Sequence, residues 1–366
     1  MEQGIEASRI IAPRADVASM AGYYSPQVDV EVRLNSNEAP ESPPTEFVTR
    51  LRDAINSISL NRYPEREADQ LRAAIARHHG VSIEQVYCAN GSNEVLQSIL
   101  LAYGGKDRSV AVFEPTYALH SHIARVTGTQ VVVGVRDEDF LVTIDEFDRI
   151  TKLGSTGDFD FPALTFLCSP NNPTGRLEPL STIESILERA GGLVVVDEAY
   201  GQFAPRSAVE ILGAHRNLLV VRTFSKTWSL AALRLGYAIA DPEVVDALWR
   251  VTLPYHLDAI KQVAGVLAIE YEREMSDRVE SIVNERSRLC EALSRLAVEV
   301  VPSDANFILF RVTHSDAKAV WKSLVDNSVL IRDISSVPHL EGYLRVTVGT
   351  PAENDRFIGA LAAALA

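Results

Sequence analysis

Short apolar runs alternate with amphipathic stretches through the middle of the chain. The runs that predict strands are Val110 to Phe113, Val131 to Val135, Leu164 to Cys168, Leu193 to Val196, Leu218 to Val221 and Tyr237 to Ala240. Helical spacing of apolar residues occupies about 46–58, 66–79 and 92–103. Near-continuous apolar strands separated by helices are typical of a parallel sheet that is buried on both faces. The pattern therefore predicts an α/β protein.

The two ends of the chain follow different patterns. Residues 1–44 carry few periodic signals and end in several prolines, which indicates an extended arm. After Leu253-Pro254 a long helical stretch runs from about 258 to 296, and the remainder alternates strand, helix, strand, strand, helix. The sequence therefore predicts three parts. They are an arm at 1–44 that packs with the small domain and the substrate site, a large domain at 45–254, and a linking helix with a small α+β domain at 255–366.

The composition narrows the class of partner. The 366 residues include 35 lysines and arginines against 49 aspartates and glutamates, a net charge of −14. This balance disfavours nucleic acid or an anionic membrane as a main partner. No apolar run approaches the roughly 20 residues that span a bilayer, and the N-terminus lacks the core of a signal peptide. We therefore expect a cytoplasmic protein whose anionic ligands are held by local clusters of donors.

Cysteine and histidine usage gives no metal signal. The three cysteines are isolated in sequence and lie among apolar residues, as reduced thiols of a cytoplasmic protein do. The eight histidines, which include His120 and His122, have no cysteine or carboxylate at a zinc-like spacing. No metal site is predicted.

A lysine follows one predicted strand, and a carboxylate follows another. Lys226 lies shortly after the run that ends at Val221, and Asp197 comes directly after Val196. An amine that can form an imine, with an acid that can hold a pyridinium nitrogen protonated, is the minimal requirement for pyridoxal phosphate chemistry. A surface lysine and a helix-capping aspartate are the alternative interpretations. In an open parallel sheet, ligands bind at the strand ends where both residues lie.

Two further segments suggest an anion site. Gly91-Ser92-Asn93 precedes a predicted helix, whose first backbone N–H groups would face an anion, although an ordinary helix N-cap has a similar sequence. Arg234 follows Lys226 closely and would place a guanidinium beside Thr223 and Ser225, forming a phosphate cluster.

Other polar and aromatic residues at strand ends have both a functional and a structural interpretation. Tyr117 follows a strand and would stack on a planar cofactor or pack in the core. Asn172 lies in a proline-rich turn that is either a rigid loop or a source of fixed hydrogen-bond donors. Arg345, in an apolar strand, would bind a carboxylate or form a structural salt bridge. Arg332 poses the same question, with Asp333 as a local partner.

Taken together, the motifs resemble the fold type I pyridoxal phosphate-dependent aminotransferases, and specifically the histidinol-phosphate aminotransferase family. The resemblance covers the chain from about residue 20 to its end. It rests on Leu34-Asn35-Ser36-Asn37-Glu38, Asn61-Arg62-Tyr63-Pro64, Asn90-Gly91-Ser92-Asn93-Glu94, Ser169 to Gly175, Asp197 to Tyr200, Thr223-Phe224-Ser225-Lys226 and Leu344 to Thr350. The family implies a mostly parallel seven-stranded sheet flanked by helices and a smaller α+β domain.

The resemblance also implies a role for each matching residue. Lys226 would carry pyridoxal 5'-phosphate as an internal aldimine and move the proton, with Asp197 on the pyridine nitrogen and Tyr200 on the phenolic oxygen. The complete set of cofactor residues would be Ser92, Asn93, Tyr117, Asn172, Asp197, Tyr200, Thr223, Ser225, Lys226, Arg234 and, from the neighbouring subunit of a homodimer with shared sites, Tyr63. The substrate residues would be Tyr24, Asn37, Asn172, Arg332 and Arg345.

The reaction implied by the family is ping-pong transamination between L-histidinol phosphate and 2-oxoglutarate, which gives imidazole-acetol phosphate and L-glutamate in histidine biosynthesis. An aromatic amino acid aminotransferase would share every cofactor residue and is the nearest alternative. A threonine-phosphate decarboxylase on the same scaffold and a non-catalytic sensor that binds the cofactor are more distant alternatives.

Overall fold

The computed structural model describes residues 11–18, 20, 22, 28–154 and 161–366, and two β-sheets organise them. The strands of the described residues, in chain order, are β1 (Val32–Leu34), β2 (Val86–Ala89), β3 (Ser109–Glu114), β4 (Gln130–Val135), β5 (Leu164–Cys168), β6 (Leu193–Asp197), β7 (Leu218–Thr223), β8 (Gly236–Ala240), β9 (Val298–Val300), β10 (Phe307–Val312), β11 (Val329–Asp333) and β12 (Tyr343–Thr347).

The larger sheet has seven strands in the order β2-β8-β7-β6-β5-β3-β4. Strands β7, β6, β5, β3 and β4 run parallel, and β8 is antiparallel to both of its neighbours. The predicted α/β class with a mostly parallel seven-stranded sheet is confirmed. Of its strands, β2 was not predicted, because a four-residue run that leads directly into a glycine turn has no distinguishing periodicity.

Helices cover both faces of this sheet and connect its strands. The α-helices of the described residues are α1 (Ala15–Ala18), α2 (Thr45–Ile55), α3 (Asp69–His79), α4 (Ser92–Tyr103), α5 (Leu119–Val126), α6 (Ile144–Leu153), α7 (Leu180–Arg189), α8 (Pro242–Val251), α9 (Ala259–Glu270), α10 (Glu272–Leu293), α11 (Ala317–Asp326) and α12 (Pro351–Leu365). No helix in this part of the chain is long and apolar enough to cross a membrane.

The apolar strands are continuous because each face of the larger sheet has its own core. In β6, Val194 and Val196 pack into one core cluster, whereas Val195, between them, packs into the other. Alternating side chains of a strand point to opposite faces, so a strand that is covered on both sides needs apolar residues at every position. Polar residues are therefore placed at the ends of the strands, where they lie along one edge of the sheet.

The smaller sheet has five strands in the order β1-β11-β12-β10-β9. Strand β1 comes from the segment predicted as an extended arm and pairs in parallel with β11. A three-residue strand carries too little pattern to be predicted, and its partner lies almost 300 positions further along the chain. Because β1 is tied to this sheet, the residues that follow it are brought against the carboxyl edge of the larger sheet.

The predicted long helix at 258–296 is in fact two helices, α9 and α10, which meet at Tyr271. Helix α9 packs against α2 and α3, whereas α10 contacts α12 and β10. The break therefore falls where the chain passes from the helices of the larger sheet to those of the smaller one. Tyr271 is buried there, with its ring edge-on to Phe47 at 5.9 Å between centroids. The predicted domain boundaries stay predictions.

Candidate functional site

The site lies at the carboxyl ends of the parallel strands. Asp197 is the last residue of β6 and Thr223 the last of β7, and Lys226 follows Thr223 in the next loop. The parallel register puts the ends of adjacent strands side by side, so residues that are distant in sequence meet at one edge. Residues after β1 and the end of β12 close the site from the smaller sheet.

Lys226 lies half-buried between the two sheets. Its Nζ donates a hydrogen bond to the backbone oxygen of Ser36 at 3.1 Å and lies 5.8 Å from the centroid of the Tyr200 ring. Burial, reinforced by the Arg345 cation, lowers the pKa of Lys226 to about 8. With this pKa about a tenth of the lysine is neutral at pH 7, against roughly one part in three thousand at the ordinary value, and the neutral amine is the nucleophile that forms an imine.

Asp197 is buried and held at both carboxylate oxygens. Its Oδ1 accepts a hydrogen bond from the backbone N–H of Ala199 at 3.1 Å, and its Oδ2 lies 3.0 Å from His120 Nε2. The His120 ring stacks on Phe166 at 4.9 Å, and Tyr117 packs edge-on against it at 5.5 Å. The carboxylate is therefore fixed in direction, as an acid that must meet a ring nitrogen requires.

His120 was not among the predicted site residues, because histidine spacing in a sequence predicts metal ligation and not a contact with a distant carboxylate. The sequence does contain one signal for a role of His120. Tyr117 was predicted to stack on a cofactor, and His120 follows it by three residues at the start of a helix, so the two side chains lie on the same side of the chain.

A cluster of donors, here called the phosphate cradle, surrounds the start of α4. Its members are Gly91, Ser92, Asn93, Thr223, Ser225 and Arg234. Helix α4 follows Gly91, whose φ is +81°, and has no side-chain cap, so its first backbone N–H groups face outward. Thr223 Oγ1 and Ser225 Oγ are 3.0 Å apart, and Arg234 Nη1 donates to the same Ser225 oxygen at 3.2 Å.

The phosphate cradle is shaped by its glycine. A Cβ atom on Gly91 would lie 2.9 Å from Arg234 Nη2, so the guanidinium would have to move away from its place in the cradle. The positive φ of Gly91 also disfavours any side chain. Tyr117 joins this region, since its hydroxyl donates to Asn93 Oδ1 at 3.2 Å. The structure therefore brings Tyr117 together with the residues that were predicted to bind a phosphate.

Arg345 is buried, and its charge acts on Lys226. Its Nη1 donates to Asn172 Oδ1, its Nη2 donates to the backbone oxygen of Asn35 at 3.1 Å, and its guanidinium carbon lies 5.1 Å from the centroid of the Phe307 ring. Arg332 is its register partner across β11 and β12. Arg345 acts on the pKa of Lys226, and Arg332 lies beside Arg345 across the two strands. Two cationic residues in this arrangement favour an anionic substrate.

Tyr200 and Asn37 form a buried contact in the same region. Asn37 Nδ2 donates to the Tyr200 hydroxyl at 2.9 Å. Burial raises the pKa of Tyr200 to about 12, although Arg345 and the Asn37 hydrogen bond oppose the shift. Tyr200 therefore keeps its proton at neutral pH and can donate it in a hydrogen bond.

One predicted residue within the described part of the chain lies apart from this cluster. Tyr63 is 79% exposed, and its ring stacks on that of Tyr255 at 4.5 Å between centroids, on the surface of the protein. An exposed position is what a residue that serves a neighbouring subunit needs. Tyr24 lies outside the described residues.

The assembled groups fit pyridoxal phosphate. The phosphate cradle offers hydroxyls, backbone N–H groups and a guanidinium for a phosphate dianion. The buried Asp197 matches a pyridinium nitrogen, and a buried carboxylate without a cation would be costly. Lys226 supplies an amine with a lowered pKa. These three chemistries lie at the same edge of the sheet.

Comparison with known proteins gives the family. The model of the aminotransferase class I and II family matches residues 29–361. A histidinol-phosphate aminotransferase of Frankia casuarinae is 42% identical and covers 95% of this chain and 89% of its own length. That of Thermobifida fusca is 43% identical and covers 95% and 94%. The histidinol-phosphate aminotransferase of Sinorhizobium meliloti, solved in complex with pyridoxal-5'-phosphate, has a TM-score of 0.87 at 22% identity, with 98% of each chain covered.

The fold and the matched length define a class I and II aminotransferase with the fold type I architecture. The chain belongs to the histidinol-phosphate aminotransferase family within that class. Aminotransferases of this class work with pyridoxal phosphate, so the family membership confirms the predicted cofactor and the predicted enzyme class.

Proposed function

We propose that this protein transfers the amino group of L-histidinol phosphate to 2-oxoglutarate, giving imidazole-acetol phosphate and L-glutamate in histidine biosynthesis. The names of the Frankia and Thermobifida relatives support this substrate. The structural observation that carries it is the position of Arg345, which is held by Asn172 and Asn35 close enough to Lys226 to lower its pKa. An arginine there meets an anionic group of a substrate whose amine reaches Lys226.

When bound, pyridoxal phosphate supplies an electron-withdrawing ring that stabilises negative charge on the substrate carbon next to the amine. The chain supplies the rest. The phosphate cradle binds and orients the phosphate, and Asp197, held by His120, keeps a proton on the ring nitrogen. Tyr200 and Asn172 would donate hydrogen bonds to the phenolic oxygen.

Lys226 Nζ has two tasks in this proposal. It anchors the cofactor until a substrate amine replaces it, and it then carries a proton between two positions of the substrate. Both tasks need a neutral amine. With a pKa of about 8, part of the Lys226 amine is neutral without a strongly alkaline pH. The contact of Nζ with the Ser36 backbone oxygen shows that the side chain reaches to the segment after β1.

One cationic pocket would serve both half-reactions. Arg345, with Arg332 as its neighbour across the strands, would bind the phosphate of histidinol phosphate in the first and a carboxylate of 2-oxoglutarate or glutamate in the second. Asn37 and Tyr24 complete the proposed substrate residues. We also propose a cytoplasmic homodimer in which Tyr63 of one subunit reaches the cofactor phosphate of the other.

Single-turnover spectroscopy tests the substrate. The protein loaded with pyridoxal phosphate is mixed with histidinol phosphate, phenylalanine or phosphothreonine, and the loss of the cofactor's visible absorption band is followed. We expect histidinol phosphate to react far faster than phenylalanine, and 2-oxoglutarate to restore the band. Arg345→Lys, which keeps the charge but loses the bidentate geometry, should raise the histidinol phosphate concentration needed for half-maximal rate.

Each alternative function predicts a different result. A faster reaction with phenylalanine would make the protein an aromatic aminotransferase, and release of carbon dioxide from phosphothreonine would make it a decarboxylase. A stable band that no amine removes would indicate a sensor. In every case borohydride should fix the cofactor on Lys226, and Lys226→Ala should abolish this labelling.

A further inference from the structure

Three buried side chains from three parts of the chain form a directed series of hydrogen bonds that ends at the cofactor region. Thr347 is the last residue of β12, Asn37 follows β1, and Tyr200 follows β6; each is at most 5% exposed. We propose that Thr347 is a positioning residue that fixes the direction of the Tyr200 hydroxyl proton by orienting the side-chain amide of Asn37. The inference rests on the proposed function, in which Tyr200 donates to the phenolic oxygen of pyridoxal phosphate.

Two contacts join Thr347 to Asn37. The backbone N–H of Asn37 donates to Thr347 Oγ1 at 2.9 Å, and Thr347 Oγ1 donates its own proton to Asn37 Oδ1 at 3.1 Å. Because the amide oxygen is bound to a hydroxyl donor, the amide nitrogen is turned to the other side. An asparagine amide has a donor and an acceptor end of nearly equal shape, and its partners decide which way it faces.

The orientation of Asn37 decides what Tyr200 can do. Asn37 Nδ2 donates to the Tyr200 oxygen at 2.9 Å. A phenol has one proton. Because Tyr200 accepts the Asn37 hydrogen bond, its own proton stays available for an acceptor in the site. If the amide were reversed, Asn37 Oδ1 would face the phenol and take that proton away from the cofactor.

The backbone of Asn37 is held independently of Thr347's hydroxyl proton. Its φ is +54°, in the left-handed region that asparagine tolerates better than most residues. Asn306 Nδ2 donates to its backbone oxygen at 3.2 Å. The main chain therefore keeps a second contact when the Thr347 hydroxyl is lost, although that loss leaves both the backbone N–H and the side-chain amide of Asn37 without their Thr347 partner.

Strand geometry links this series to substrate binding. Thr347 and Arg345 are two residues apart in β12, and alternate residues of a strand point to the same face. One face of β12 thus carries the proposed substrate arginine and the hydroxyl that orients Asn37. A purely structural role for Thr347, in which it only satisfies the Asn37 backbone N–H, is the competing explanation.

The test uses the pH midpoint of the visible absorption band of the protein loaded with pyridoxal phosphate. A hydrogen bond donated to the phenolic oxygen stabilises its anionic form and keeps this midpoint low. Thr347→Val has nearly the shape of threonine but no hydroxyl, and we expect it to raise the midpoint by about one pH unit. Thr347→Ser retains the hydroxyl and should restore a midpoint close to that of the unaltered protein.

A second pair of variants separates positioning from structure. Tyr200→Phe should itself raise the midpoint, and Thr347→Val added to Tyr200→Phe should raise it no further, because the group it acts through is already missing. An unchanged midpoint in Thr347→Val, with or without a lower melting temperature, would overturn the proposal. So would a full additional shift in the double variant.

These outcomes are separate from failure of the proposed function. If pyridoxal phosphate gives no visible band, or if Lys226→Ala keeps the same band, the assignment of Lys226 and the cofactor site is wrong. If the band forms at Lys226 but its midpoint ignores Thr347, only the positioning role is wrong.

Discussion

His120 Nε2 lies 3.0 Å from Asp197 Oδ2, and both side chains are buried. The imidazole stacks on the Phe166 ring and contacts the Tyr117 ring edge-on, so its direction is set by packing. The direction of the Asp197 carboxylate is thereby fixed. In the proposed function this carboxylate meets the ring nitrogen of the cofactor, and His120 would be a positioning residue that acts through it.

His120→Phe should preserve the aromatic packing and remove the donor to Asp197. A hydrogen bond to a charged group contributes about 1.5–3 kcal/mol, so the affinity for pyridoxal phosphate should fall by roughly 10- to 100-fold. Equilibrium titration of the cofactor-free protein measures this change. His122→Phe, two residues later in α5, is the matched control and should have little effect. An affinity equal to that of the unaltered protein in His120→Phe would contradict the positioning role.

The lowered pKa of Lys226 predicts a pH-dependent cost of folding without cofactor. Its folded pKa of about 8 lies below the ordinary value of 10.5, so the unfolded state binds more protons between these two values. Stability should therefore rise with pH across this window. Lys226→Met removes the cost, and should stabilise the cofactor-free protein by up to about 3 kcal/mol below pH 8.

The same stabilisation should fall below about 0.5 kcal/mol at pH 10.5, where only half of the unfolded-state lysine is still protonated. The free energies of unfolding of Lys226→Met and of the unaltered protein are measured in urea at pH 7 and at pH 10.5. The difference between the two proteins at each pH gives the stabilisation, because the other titrating groups contribute equally to both. Lys261→Met provides a control at a lysine with an acidic partner, Asp258, at 2.7 Å. A stabilisation by Lys226→Met that is equal at both pH values would show that packing, and not charge, is responsible.

A buried ion pair beneath the site predicts a large loss of stability. Arg222 Nη2 and Glu198 Oε2 are 2.6 Å apart, and both side chains are under 10% exposed. Glu198→Leu would leave the guanidinium uncompensated and should cost about 3–5 kcal/mol in the free energy of unfolding. Disrupting the exposed pair of Arg250 and Asp246 with Asp246→Leu should cost less than about 1 kcal/mol. Comparable losses in the two variants would contradict this difference.

The predicted site residues that the structure brings together share one property. Asp197, Thr223 and Lys226 lie on or directly after apolar strands, and the parallel order of those strands alone brings their ends together. For these residues, the local sequence therefore predicts both the strand and the side chain that lies at its end. The same holds for Ser92 and Asn93, which follow a glycine turn at a helix start.

The contacts that were not predicted join residues far apart in the chain, both within the smaller sheet and between the two sheets. Asn37 and Thr347 are 310 residues apart, and Lys226 and Ser36 are 190 apart. No local pattern specifies these pairs, because they depend on β1 adding to the edge of the smaller sheet and on how that sheet meets the larger one. Asn37 was predicted as a substrate residue, and the contacts of its side-chain amide with Thr347 and Tyr200 were not predicted.

The exposed stack of Tyr63 on Tyr255 leads to a prediction about the proposed homodimer. If Tyr63 serves the neighbouring subunit's cofactor, Tyr63→Ala and Lys226→Ala should each be nearly inactive alone. In a mixed dimer, one site would take its lysine from the Tyr63→Ala subunit and its tyrosine from the Lys226→Ala subunit, so it would be intact. Random exchange of equal amounts should then restore about a quarter of full activity, since half of the dimers are mixed and each has one working site.

A second mixture is the control for this recovery. Lys226→Ala with Asp197→Ala should restore nothing, because both residues come from the same subunit as the site they serve, and every site would lack one of them. Activity is measured after the two proteins are unfolded and refolded together, and separately refolded proteins give the baseline. Recovery in both mixtures, or in neither while the refolded dimers form, would show that Tyr63 does not complete a neighbouring site.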